Sequence, residues 1–160
     1  SDDDVNKQMG VYLQSVLNSI GYKATVKPIS GNIQFTYIQN TKNKVQISVT
    51  QWYQDYPAAS DFLNVLLGCA SFTPNSDSSI NMSGYCNKSF DAQMAKAMAL
   101  GVTDPAAANK LWGQLDQQVM KDAPVAVAFT PKQLDFLSSG TKNYHFSLQY
   151  KMFVDQLQTK

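Results

Sequence analysis

The sequence lacks glutamate and arginine: its 12 acidic residues are all aspartate and its 13 basic residues are all lysine. Average usage would supply several of each missing type. Gln, Asn, Ser and Thr fill the polar positions instead, and such a low-charge, amide-rich surface is compatible with export and with an acidic medium. Net charge is +1 at neutral pH, with no basic run or stripe. That argues against nucleic acid, whose phosphates require a clustered positive face. No apolar run approaches the roughly 20 residues that span a bilayer. No signal peptide precedes Ser1-Asp2-Asp3-Asp4, which lead straight into helical periodicity, so a mature product or a fragment is expected. One histidine and two cysteines cannot make a zinc tetrad, and no cofactor motif or Gly-rich phosphate loop is present. Length and apolar content suit one domain, with no internal repeat or linker.

What is present begins with the cysteines. Cys69 and Cys86 bracket a polar stretch, residues 71–85, rich in Ser and Asn and carrying Pro74, Asn75 and Gly84. Such a stretch is expected to bury little and to need a clamp. A Cys69–Cys86 disulfide is expected; closing a loop of about 15 residues is worth roughly 3 kcal/mol in the chain-entropy model. Disulfides persist in oxidising compartments, so the expected location is extracytoplasmic. Two unpaired buried thiols are the alternative.

Periodicity orders the rest. Val5, Met9, Tyr12, Leu13, Val16, Leu17 and Ile20 recur at helical spacing, with Gly21 as a C-cap. The triple Asp before them suits the positive end of a helix dipole. Residues 22–29 alternate as a strand ended by Pro28; residues 32–40 read as a short helix; Val45, Ile47 and Val49 alternate again toward Gln51. A right-handed crossover with a parallel strand pair is the default for this unit. Residues 61–68 read as a short apolar helix. Phe90, Met94, Ala97 and Met98 mark the face of the next helix, expected to end at Gly101. Thr103-Asp104-Pro105 restarts a helix carrying Ala108, Leu111, Trp112, Leu115 and Val119, and Asp122-Ala123-Pro124 stops it. Short strands are expected around Val125, Val127 and Phe129, around Leu134 and Phe136, over 146–150 and over 153–157. The expected class is α/β, a mixed sheet covered by helices on at least one face.

Catalytic readings find little support. His145, between Tyr144 and Phe146, has no nucleophile motif around Ser138 or Ser139, and reads as a surface or packing histidine. Asp55 and Asp61 are close in sequence, but Asp61 is well placed to cap a helix. Binding is the better reading. Trp52, Tyr53 and Tyr56 offer flat faces for apolar groups, sugar rings or a cation, and Asp55 among them could pair with a ligand ammonium. The same residues also read as scaffold, with Trp52 in the core and Asp55 bracing the turn before Pro57.

The pattern Trp52-Tyr53-Gln54-Asp55-Tyr56-Pro57, then Phe62-Leu63, resembles the W-x-x-D-Y-P…F-L signature of family 5 extracellular solute-binding proteins, the peptide, oligopeptide and nickel receptors of ABC importers. Ile20-Gly21-Tyr22-Lys23-Ala24, Ser83-Gly84-Tyr85-Cys86-Asn87 with Phe90-Asp91, the Thr103 to Trp112 stretch, and Asp122-Ala123-Pro124 resemble further family motifs in the same order. The chain departs where the family often has proline (Lys88), arginine (Asn109-Lys110) and Pro-Leu (Val127-Ala128). Family members run to about five hundred residues in two lobes. The resemblance therefore implies that residues 1–160 are a single domain, most of the C-terminal lobe of a clamshell, without its N-terminal lobe. It implies no enzyme activity and no cofactor. It implies capture of a peptide, or an oligosaccharide in the alternative, between two lobes in the periplasm or at the outer face of the membrane, and docking on an ABC permease. Asp55 would pair with a peptide's α-amino group, Trp52 and Tyr53 would line the cleft, and Tyr56-Pro57 would shape it. A free-standing secreted interaction module or hydrolase is the reading from another class.

Overall fold

A computed structural model describes residues 4–130, 132 and 134–159. Among these residues lie five α-helices: α1 (Asp4–Ser19), α2 (Gly31–Gln39), α3 (Ala59–Leu67), α4 (Lys88–Thr103) and α5 (Pro105–Asp122). Four two-residue strands follow: β1 (Thr141–Lys142), β2 (Phe146–Ser147), β3 (Lys151–Met152) and β4 (Gln158–Thr159). Strand β1 pairs antiparallel with β4, and β2 with β3, as two separate sheets. The chain thus mixes helices with small antiparallel sheets, α/β in the broad sense.

Helix ends obey local chemistry. Gly21 adopts φ +98°, and the Tyr22 N–H donates to the Leu17 carbonyl at 3.0 Å, closing α1. The Asn87 side chain caps α4 by accepting from the Ser89 and Phe90 N–H groups. Asp104 does the same for α5, accepting from the Ala107 N–H at 3.0 Å ahead of Pro105 in the first turn. Ala123 leaves α5 in a left-handed conformation, its N–H still donating to the Val119 carbonyl at 2.8 Å. Of the acidic triplet expected before α1, Asp4 is its first residue; Asp2 and Asp3 lie outside the described residues.

The core lies between α3, α4 and α5. Leu63, Leu67, Phe90, Met94, Ala97, Leu115 and Val119 form one buried cluster, flanked by Leu66, Tyr85, Leu111 and Trp112. Met98, expected on the buried face of α4, is 44% exposed. Ala97 takes the inner position, and α4 runs two residues beyond Gly101.

The cystine loop is not what its composition suggests. Cys69 and Cys86 are bonded, with Cα atoms 4.5 Å apart. The loop they close is not an empty tether, because Ser79 and Asn81 are fully buried. Asn81 Nδ2 donates to the carbonyls of Gly68 (3.1 Å) and Tyr85 (2.7 Å), and the Asn81 N–H to that of Ser71 (3.0 Å). Ser79 Oγ accepts the Thr73 N–H at 3.0 Å. Short polar side chains, fully paired, replace apolar packing here. The Tyr85 hydroxyl donates to Asp122 Oδ2 at 2.6 Å, tying the loop's end to the end of α5. Burial, then this bond, raises the Tyr85 pKa above the ordinary tyrosine value.

The expected strands largely fail to pair. Residues 22–29 and 45–51 lie outside any helix or strand, with a bend at Gln46, and no ladder joins either to another described segment, so no parallel pair forms. Residues 125–129 and 134–136 are also outside any strand. Alternating apolar residues fit a strand, but a strand needs a backbone partner at hydrogen-bonding distance. Only 146–150 meets the expectation, in part, as β2. The 153–157 stretch is a 3-10 turn, Val154–Gln156, that interrupts a longer antiparallel ribbon between β1–β4 and β2–β3. In place of the missing sheet, α1, α2 and the irregular residues 24–29 and 43–49 line a cavity of about 530 Å³.

Candidate functional site

The Trp52 to Tyr56 segment runs from the irregular residues 45–51 toward the N-terminus of α3. Trp52 is half-buried, its ring stacked near Phe35 of α2 with centroids 6.4 Å apart. Its Nε1 is buried and has no acceptor among the described residues. Tyr53 is 54% exposed and Tyr56 42% exposed. The Tyr56 hydroxyl accepts from Ser60 Oγ at 3.2 Å, while the Tyr56 carbonyl accepts the Ala58 N–H at 2.9 Å across Pro57. The backbone is thus folded tightly before α3 begins.

Asp55 is held by its backbone and free at its side chain. Its N–H donates to Asp61 Oδ2 at 2.8 Å, and its carbonyl accepts from Gln149 Nε2. Its carboxylate is exposed and takes no hydrogen bond from the described residues. Asp61 is fully buried in the first turn of α3, where the helix dipole favours an anion. Its other oxygen, Oδ1, is without a partner among the described residues. Asp61 therefore braces the Asp55 turn from inside; it does not cap α3, whose N-cap is Ala58 with no side-chain capping bond.

Two participants come from far along the chain. The β2–β3 hairpin brings Gln149 to the Asp55 carbonyl and sets Lys151 Nζ 4.8 Å from the centre of the Tyr53 ring. No local sequence signal marks Gln149 or Lys151, because their partners lie nearly a hundred positions earlier. Trp52, Tyr53, Asp55 and Tyr56 are gathered at one turn, but they do not line either of two nearby cavities, of about 530 and 350 Å³. The smaller of these is formed by Ala59, Phe62, Leu63, Trp112, Gly113 and Asp116, beside the same end of α3. What the turn offers is one free carboxylate flanked by aromatic faces on an open surface. That arrangement suits a cation better than a neutral apolar group.

His145 is exposed, with Nε2 3.0 Å from Asn143 Oδ1. Among the described residues, no group of three or more His, Cys or Asp side chains could hold a metal ion, and no helix is long and apolar enough to cross a membrane. Comparison of the chain with protein-family models, curated proteins and solved structures finds no match in any of the three.

Proposed function

We propose that residues 1–160 are most of the C-terminal lobe of an exported solute receptor, which captures peptides or similar small solutes and delivers them to an ABC importer. One observation carries this reading. Asp55 has its backbone pinned from both sides, by Asp61 and by Gln149, while its carboxylate stays exposed and unpartnered between Trp52 and Tyr56. A pinned, unpaired anion is arranged to meet a cation, and a peptide's α-ammonium is such a cation. The Lys151 ammonium already rests on the adjacent Tyr53 ring, which fits a surface that attracts this group. The ordered motifs from Trp52-Tyr53-Gln54-Asp55-Tyr56-Pro57 to Asp122-Ala123-Pro124 support the family reading. The disulfide is compatible with an extracytoplasmic location.

On this reading an N-terminal lobe carries the facing wall, and the closed receptor docks on a membrane permease. In the full-length parent, Asp55→Ala should weaken binding of an unblocked peptide by about 2 kcal/mol or more, because the ligand's ammonium would be enclosed unpaired. Calorimetry checks this, and unchanged affinity would remove Asp55 from the role. If the ligand were instead an oligosaccharide, stacking would dominate and Trp52→Ala would be the more damaging change. The 160-residue chain alone lacks half of the enclosing surface, so its peptide affinity should be far weaker than micromolar.

A further inference from the structure

The smaller cleft, of about 350 Å³, takes no part in the function proposed above. Helices α3 and α5 both pack on α4, and the cleft opens between them. Helical spacing puts Ala59, Phe62 and Leu63 on one face of α3, and Trp112, Gly113 and Asp116 on one face of α5. Phe62 is 40% exposed and Trp112 half-buried, and neither ring meets another aromatic ring among the described residues. Asp116 is the only charged residue of the lining. It is exposed and has no hydrogen-bond or ion-pair partner among the described residues. Two free aromatic faces and one unpaired anion thus meet in one cleft. Gly113 is an independent sign. It lies at the middle of the 18-residue α5, where glycine weakens a helix relative to alanine. No close approach within the chain requires it, because a Cβ there would meet no atom within 4 Å. Its missing side chain instead leaves room in the cleft.

We propose that this cleft binds a small organic cation, an alkylated ammonium, with its head against the Phe62 and Trp112 rings and its charge toward Asp116. The lining selects this class against the others. An anion would meet a carboxylate with no cation beside it. A metal ion would find one carboxylate; among the described residues no group of three or more His, Cys or Asp side chains could hold it. A neutral apolar guest would use the rings but strip water from Asp116 and return nothing. An alkylated ammonium is weakly hydrated, and it is drawn to a ring face within about 6 Å of the centroid, to indole above all. The volume lies at the low end of the roughly 300–1,000 Å³ of ligand cavities, which calls for a small guest. The cleft shares no residue with the Trp52 to Tyr56 turn, so either proposal can fail without the other.

Choline, titrated into the isotope-labelled 160-residue chain and followed by proton–nitrogen correlation NMR, tests it. The Trp112 indole N–H and the Gly113 amide should shift together and saturate, with half-saturation at about 1–10 mM. The neutral isostere, in which a tert-butyl group replaces the trimethylammonium, should bind at least about fivefold more weakly. Asp116→Asn, an exposed change of the same shape, should weaken choline by about fivefold as well. Gly113→Leu should melt no lower than the native chain, since leucine is the better helix former, yet lose choline by filling the cleft. Four results would each overturn the proposal. One is choline that leaves Trp112 and Gly113 unmoved, including the case in which only Tyr53 and Asp55 shift. Another is equal binding of choline and its isostere, meaning an apolar dimple. The third is an Asp116→Asn chain that binds as the native one does. The last is native affinity in Gly113→Leu.

Discussion

Residues 59–122 and residues 4–51 contain similar raw material and use it differently. Both hold amphipathic helices rich in Leu, Val and Met or Ile. In the first region α3, α4 and α5 face one another, and Leu63, Leu67, Phe90, Met94, Leu115 and Val119 are all buried. In the second, only Ile38 and Gln39 are buried, while Val5, Val11, Tyr12 and Ile20 of the first helical stretch are each more than 60% exposed. The difference is in connection. Asp104 ends α4 and caps α5 within a single residue, so two long helices turn back on each other and their apolar faces meet. Helices α1 and α2 are joined through an irregular stretch that pairs with no strand among the described residues. An apolar stripe marks which side of a helix can be buried, and a mate decides whether it is.

The contrast can be broken by mutation. Phe90→Ala should cost about 4 kcal/mol, the range for deleting a buried ring, whereas Val11→Ala on the exposed face of α1 should change stability by about 0.5 kcal/mol or less. Urea denaturation of both variants measures the ratio, and comparable losses would mean that the N-terminal third has a packed core after all. Reducing the Cys69–Cys86 bond, or replacing both residues with Ser, should cost roughly 3 kcal/mol and appear as a lower melting temperature for α3 to α5. Asn81→Ala should cost about 2 kcal/mol, because it strips the buried Gly68 carbonyl and the partly buried Tyr85 carbonyl of their donor. A loss much below 1 kcal/mol would show that the disulfide alone orders the loop.

The smallest effect concerns pH. The Tyr85 pKa is raised, so folding favours the protonated hydroxyl. The stability it lends is complete below the unfolded tyrosine value of about 10 and is lost as pH rises through the folded value. Native protein should therefore lose stability above about pH 10 more steeply than Tyr85→Phe, in denaturation series run at several alkaline pH values. Parallel curves would show that Asp122 does not hold this hydroxyl in solution.

Sequence reasoning reached the helical region almost completely. Period, caps and breakers are local, and Gly21, Asp104-Pro105 and Asp122-Ala123-Pro124 act within a few residues of themselves, although Asn87 as the cap of α4 emerged only in the structure. The disulfide was legible because two cysteines bracket one loop. Three things were not. Residues 22–29 and 45–51 carry the alternation of strands, but pairing depends on a neighbour that alternation does not specify. The burial of Ser79 and Asn81 runs against their polarity and is visible only once each of their bonds has a partner in space. At the candidate site, Trp52, Tyr53, Asp55 and Tyr56 could be named from their crowding, whereas Asp61 as the inner brace and Gln149 and Lys151 as the outer clamp required tertiary structure.

That clamp also sets an order of events. Gln149 stands 94 residues after Asp55, so joining them closes a long loop, while α4 and α5 meet through contacts near in sequence. Local helical contacts form quickly, and distant ones wait for chain closure. During synthesis the aromatic turn leaves the ribosome well before the hairpin that grips it. The helical core can therefore mature while the turn is still loose, and the candidate site is finished last. A chain terminated before Gln149 would retain Trp52, Tyr53, Asp55 and Tyr56 and still lack the grip that fixes where Asp55 points.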